Sequence, residues 1–146
     1  MIKRGVRARK KGQLKISFGM IFSIILIIVF LAFAFYAIQK FLDTQNEIKI
    51  QKFYSELDDD IKAVWASTEA SENVEYSVPG RITQVCFDSR YEKNVYLRDD
   101  GLVEGRHIDH IDLSGGKFCY PVSNGKVKLT LEKNFEEALV TIKEQE

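Results

Sequence analysis

Between Ile16 and Ile38 the chain runs for 23 residues without a charged side chain, and its only hydroxyl groups there belong to Ser17, Ser23 and Tyr36. As a helix rising about 1.5 Å per residue, the run reaches ~34 Å, enough to cross a hydrocarbon core of ~30 Å with slight tilt. A secretory signal peptide has an apolar region of only about 7 to 15 residues followed by a small-residue cleavage site. This run is longer and continues into Gln39-Lys40-Phe41. The expectation is a retained transmembrane helix over residues 13–39, in contact with membrane lipid.

Charge gives that helix a direction. The chain as a whole is neutral, with 21 basic and 21 acidic residues, but residues 1–15 hold seven Lys or Arg (Lys3, Arg4, Arg7, Arg9, Lys10, Lys11, Lys15) and no acid. A basic cluster directly before a span reads as a cytoplasmic flank under the positive-inside rule rather than as a nucleic-acid site, so no nucleic-acid partner is expected. The N-terminus is therefore expected in the cytoplasm of a single-pass protein of the cell membrane, with everything after about Lys40 outside it. About 105 residues remain beyond the membrane, enough for one modest core.

Helical character continues past the membrane. Ile50, Tyr54, Leu57, Ile61 and Val64 recur at steps of four and three, Phe53 and Trp65 widen the stripe, and Glu47, Lys49, Glu56, Asp59, Asp60 and Lys62 fall on other faces. No Pro or Gly interrupts residues 20–78. One helix from about Leu14 to about Ser67 is the economical reading, with residues 40–68 as an amphipathic extension. The alternative is two helices broken near Asp43-Thr44-Gln45-Asn46, where the stripe lapses.

After Ser67-Thr68-Glu69-Ala70-Ser71, read as a small polar linker, short alternating segments predict strands over Val74–Val78, Arg81–Asp88, Asn94–Arg98, Phe118–Ser123 and Lys126–Glu132. Asn124-Gly125, between the last two, is a strong hairpin signal because both residues tolerate positive φ. Ala138–Ile142 predicts a final strand, with a short helix over Phe135–Ile142 as the alternative because Glu136-Glu137-Ala138 favours one. The fold class expected is α+β: a long N-terminal transmembrane and amphipathic helix followed by a small antiparallel β head over residues 72–146.

Few residues suggest chemistry. Cys86 and Cys119 are the only cysteines, both in predicted strands outside the membrane, where a disulfide is chemically allowed. Closing a loop of that size contributes about 3 to 4 kcal/mol; two buried thiols are the alternative. His107, Asp109, His110 and Asp112 form the densest cluster and hold both histidines, a donor set that suits Zn²⁺. In an extended segment, however, His107 and Asp109 share one face and His110 and Asp112 the other, so a polar loop with Ile108, Ile111 and Leu113 turned inward is the stronger reading. Asp58-Asp59-Asp60 lacks the Gly and the downstream Glu of an EF-hand loop. Ser114-Gly115-Gly116-Lys117 lacks the spacing of a phosphate loop and reads as a turn. No Ser/His/Asp, Cys/His or paired-carboxylate arrangement points to catalysis, so neither an enzyme nor a cofactor is expected.

A basic leader ending in Gly12, then Gln13, then a long apolar helix turning amphipathic and a small β head, resembles the type IV pilin superfamily. Within it the chain is most similar to archaeal members with a class III signal peptide. The resemblance implies that a prepilin peptidase removes the cytoplasmic leader, residues 1–12, by cutting between Gly12 and Gln13 after Lys10-Lys11. It also implies a structural protein of the cell surface whose helices bundle with those of other pilin-like subunits, as homo- or hetero-oligomers, in a filament with heads outward. Where the archaeal motif carries Ser and Glu at the third and fifth residues after the cut, this chain has Lys15 and Ser17. That departure implies a minor or specialised subunit. The alternative is an uncleaved signal-anchored protein whose head is an extracytoplasmic binding domain.

Overall fold

The computed structural model describes residues 17–99, 101 and 105–145. The basic leader, the Gly12–Gln13 junction and Lys15 lie outside the described residues. The chain divides into two compact units, Met1–Phe41 and Leu42–Glu146. A single helix, α1, spans Phe18–Ala66 and runs through Asp43–Asn46 without the break that the lapse in the stripe allowed.

In the first unit, every described residue from position 17 onward is exposed, although most are large and apolar, including Phe22, Ile25, Ile28, Phe30, Phe33 and Phe35. The helix begins with the Ser17 carbonyl accepting from the Met20 amide at 2.8 Å, and the Ser23 hydroxyl folds back onto the Gly19 carbonyl at 2.8 Å. That second bond satisfies the hydroxyl within its own helix, as a medium without water requires. By length and composition α1 is able to cross a membrane, and the chain is compatible with a single-pass membrane protein.

In the second unit, α1 buries Phe53, Tyr54, Leu57, Ile61 and Val64, the stripe read from the sequence, with Ile50 packed partly against the same core. Six strands follow: β1 Ala70–Ser77, β2 Gln84–Phe87, β3 Val95–Arg98, β4 Phe118–Pro121, β5 Lys126–Lys133 and β6 Thr141–Glu144. They form two three-stranded sheets, β1-β5-β6 and β3-β2-β4, with every strand pair antiparallel. Val127, Leu129 and Leu131 of β5 are fully buried while Lys126, Lys128 and Thr130 alternate with them on the wetter face. The α+β class is that expected from the sequence.

Three local readings need correction. Ala70 and Ser71 belong to β1, paired with Lys133 and Glu132, so the linker shrinks to Ser67-Thr68-Glu69. The cause is Lys133, whose Nζ donates to the carbonyls of Trp65 at 2.7 Å and Ser67 at 2.9 Å, closing the C-terminal end of α1 directly onto β5. Asn124-Gly125 does form the two-residue turn, with φ of 53° and 70° and Ser123 and Lys126 exchanging backbone bonds at 2.9 and 3.0 Å. Yet the flanking strands do not form a hairpin: β4 pairs with β2 and β5 with β1, so the turn passes the chain from one sheet to the other.

The third correction concerns the end of the chain. The final strand is Thr141–Glu144 rather than Ala138–Ile142, and the alternative helix does not form. Trp65 Nε1 takes the Ala138 carbonyl at 3.1 Å, and Val140 makes an isolated parallel bridge with Ile111 before the β6 ladder starts. Burial of Val140 and Ile142, two residues apart, keeps the period of a strand.

Candidate functional site

Cys86 and Cys119 are directly opposed in the β2–β4 ladder and joined by a disulfide, with Cα atoms 4.1 Å apart. Cys86 is fully buried, and the bond ties central strand β2 to edge strand β4. Phe87 stacks on Phe118 in the next register pair, at 5.2 Å between centroids.

The histidine cluster is split, with His107 and Asp109 in contact and His110 and Asp112 turned to other partners. His107 Nε2 meets Asp109 Oδ1 at 3.0 Å, and His107 Nδ1 lies 3.1 Å from the Glu92 carbonyl. His110 adopts a left-handed φ of 69° and stacks on Trp65, with centroids 3.8 Å apart and planes 12° from parallel. Asp112 Oδ1 accepts from the Ser114 amide at 2.9 Å, a bond that holds its carboxyl below the ordinary range. Only His107 and Asp109 meet, while His110 and Asp112 face other partners, and among the described residues no group of three or more His, Cys, Asp or Glu is placed to hold a metal ion. Ile108 and Ile111 are buried between them, and Leu113 packs partly against the core.

Asn94 anchors this segment. Its Nδ2 donates to the Ile108 carbonyl at 2.7 Å and its Oδ1 accepts from the Ile108 amide at 2.8 Å. Nearby, Asp88 has no exposed side-chain surface, and Arg90 grips it with Nη2 at 2.9 Å and its own backbone amide at 3.0 Å. The guanidinium holds the Asp88 carboxyl below its usual range. Gly105 lets the chain cross β3 closely, since a Cβ there would meet the Val95 carbonyl at 2.7 Å.

The three consecutive aspartates also diverge. Asp58 pairs with Lys62 at 2.6 Å one helical turn on, Asp59 is exposed, and Asp60 accepts from the Tyr76 hydroxyl at 2.7 Å. Tyr76 is buried, and that burial first, then the Asp60 bond, pushes its hydroxyl pKa upward, so it stays a donor throughout the accessible pH range. Glu56, Asp60, Val74, Glu75 and Tyr76 line a groove between α1 and β1. Sequence reading did not find this groove. Its acids come from separate elements, and only the antiparallel return of β1 along α1 brings them together.

Ser114-Gly115-Gly116-Lys117 is a turn, with the Gly116 amide donating to Leu113 at 3.1 Å and Gly116 at a φ of 83°. The chain matches no family model, no curated protein and no solved structure.

Proposed function

We propose that the chain is a membrane-anchored structural subunit, non-enzymatic, of an archaeal type IV pilus-like surface filament or of the system that assembles it. In this reading the N-terminus is cytoplasmic, the head lies outside the membrane, and the subunit is a minor one. The observation that carries it is the division of α1. Its described residues through Phe41 are exposed and mostly apolar, and from Phe53 onward a separate stripe is covered by the head's own strands. A helix apolar on all sides is accommodated equally by lipid and by like helices, so the same segment serves before and after polymerisation. The disulfide agrees with an oxidising compartment for the head.

Processing at one bond tests the reading. Intact mass and N-terminal sequencing of protein extracted from membranes of its own host are expected to show a start at Gln13, as left by a prepilin peptidase. A chain that retains Met1 or Ile2 overturns the filament reading in favour of an uncleaved, signal-anchored binding domain.

A further inference from the structure

We propose that the open edge of β1, with the groove beside it, is a docking site for an extended polypeptide segment that carries Lys or Arg at alternate positions. β1 is an edge strand of the β1-β5-β6 sheet. The Val78 amide donates to the Gly125 carbonyl at 2.9 Å, one step beyond the Ser77–Lys126 pair. In an antiparallel ladder this parity makes Ala70, Glu72, Val74 and Tyr76 the residues bonded to β5. The Gln145 amide, reaching the Lys128 carbonyl from the other side of β5, gives the same phase.

Ser71, Asn73, Glu75 and Ser77 therefore turn their N–H and C=O groups away from β5. All four are exposed, and no other backbone pairs with them among the described residues. Edge strands are commonly blunted by Pro, Lys, a bulge or brevity. β1 has eight residues, contains neither Pro nor Lys, and pairs without a bulge. Strand addition to such an edge draws affinity from main-chain hydrogen bonds and specificity from alternate side chains.

Charge selects the occupant. The groove beside the edge, about 270 Å³, is lined by Glu56, Asp60, Val74, Glu75 and Tyr76. Glu72 is close enough to the same tyrosine to act on it electrostatically. Neither Asp60 nor Glu72 has a cationic partner among the described residues. A second copy of β1 would set either its Glu72 or its Glu75, which lie on opposite faces of the strand, beside these acids and be repelled. A strand with cations on its helix-facing side instead meets Asp60 and Glu72, while its other side lies beside Asn73.

The test uses the full chain in non-ionic detergent and a fluorescein-labelled octapeptide of alternating Lys and Val, followed by fluorescence anisotropy. Saturable binding is expected, with affinity reduced roughly tenfold in the double variant Asp60→Asn, Glu72→Gln. Asn73→Pro is expected to abolish it, because the Asn73 amide points outward and its loss removes no bond to β5. The same peptide N-methylated at alternate backbone nitrogens is expected not to bind, which decides the matter should the proline variant fail to fold. The proposal is overturned by absence of saturable binding to the parent chain, by equal binding of a Glu/Val peptide, or by binding that survives N-methylation.

Discussion

Asn94 and Ile108 are joined by two hydrogen bonds that run in opposite directions, side-chain amide to main-chain peptide, at 2.7 and 2.8 Å. Asn94 thus does for Ile108 what a neighbouring strand would do, and does it at a site where both residues are buried. It holds in place the segment that carries Ile108 and Ile111 into the core. Asn94→Leu leaves the Ile108 N–H and C=O without partners and is expected to destabilise the head by about 2–3 kcal/mol. Urea unfolding followed through Trp65, the chain's single tryptophan, measures the difference.

The Cys86–Cys119 bond closes a sequence separation of 33 residues. Loss of that cross-link, in the double variant Cys86→Ser, Cys119→Ser, is expected to cost about 3–4 kcal/mol. A thiol assay on the denatured, unreduced chain is expected to find no free thiol, and two after reduction.

Acid should act through Asp88. Arg90 lowers the pKa of the folded-state carboxyl, so the stabilisation is fully present above the unfolded value of about 3.9 and is lost as pH falls through the lower, folded one. Arg90→Gln is therefore expected to be less stable than the parent at neutral pH. The gap between the two should close as the pH is taken below that of an ordinary carboxylate, and parallel denaturation curves from pH 7 downward read the sign directly.

Lys133 closes the end of α1 through the Trp65 and Ser67 carbonyls. Lys133→Met keeps the aliphatic stem and removes the charge, and is expected to cost about 1 kcal/mol. A fall in the thermal midpoint of the head, larger than that produced by Lys128→Met on the exposed face of the same strand, checks it.

Much of the fold could be read from local pattern because local pattern caused it. The stripe from Ile50 to Val64 is a helix face whatever covers it, and Val127, Leu129 and Leu131 alternate as a half-buried strand must. Asn124-Gly125 announced a turn, yet turn chemistry does not choose which sheet each flank joins, and here the flanks part. The start of β1 was missed because Ala70 and Ser71 have no strand preference of their own and are held by Lys133 and Glu132, more than sixty residues away in sequence. The metal reading of His107, Asp109, His110 and Asp112 arose from proximity along the chain. The left-handed turn at His110 and its stacking on Trp65 direct the group elsewhere. The open edge of β1 is a property of topology, so no residue pattern announces it.

The disulfide also has a mechanical meaning. Force applied between α1 and the C-terminus enters the chain on either side of Cys86 and Cys119, so the 33-residue separation between them carries no tension while the bond is intact. At ~3.3–3.6 Å per extended residue, about 110 Å of slack is withheld from any stretching of the head. β3 and the anchored Ile108 segment lie inside that protected loop. A head pulled from its two ends can therefore yield at β1, β5 and β6 and still keep an unextended kernel from which to re-form.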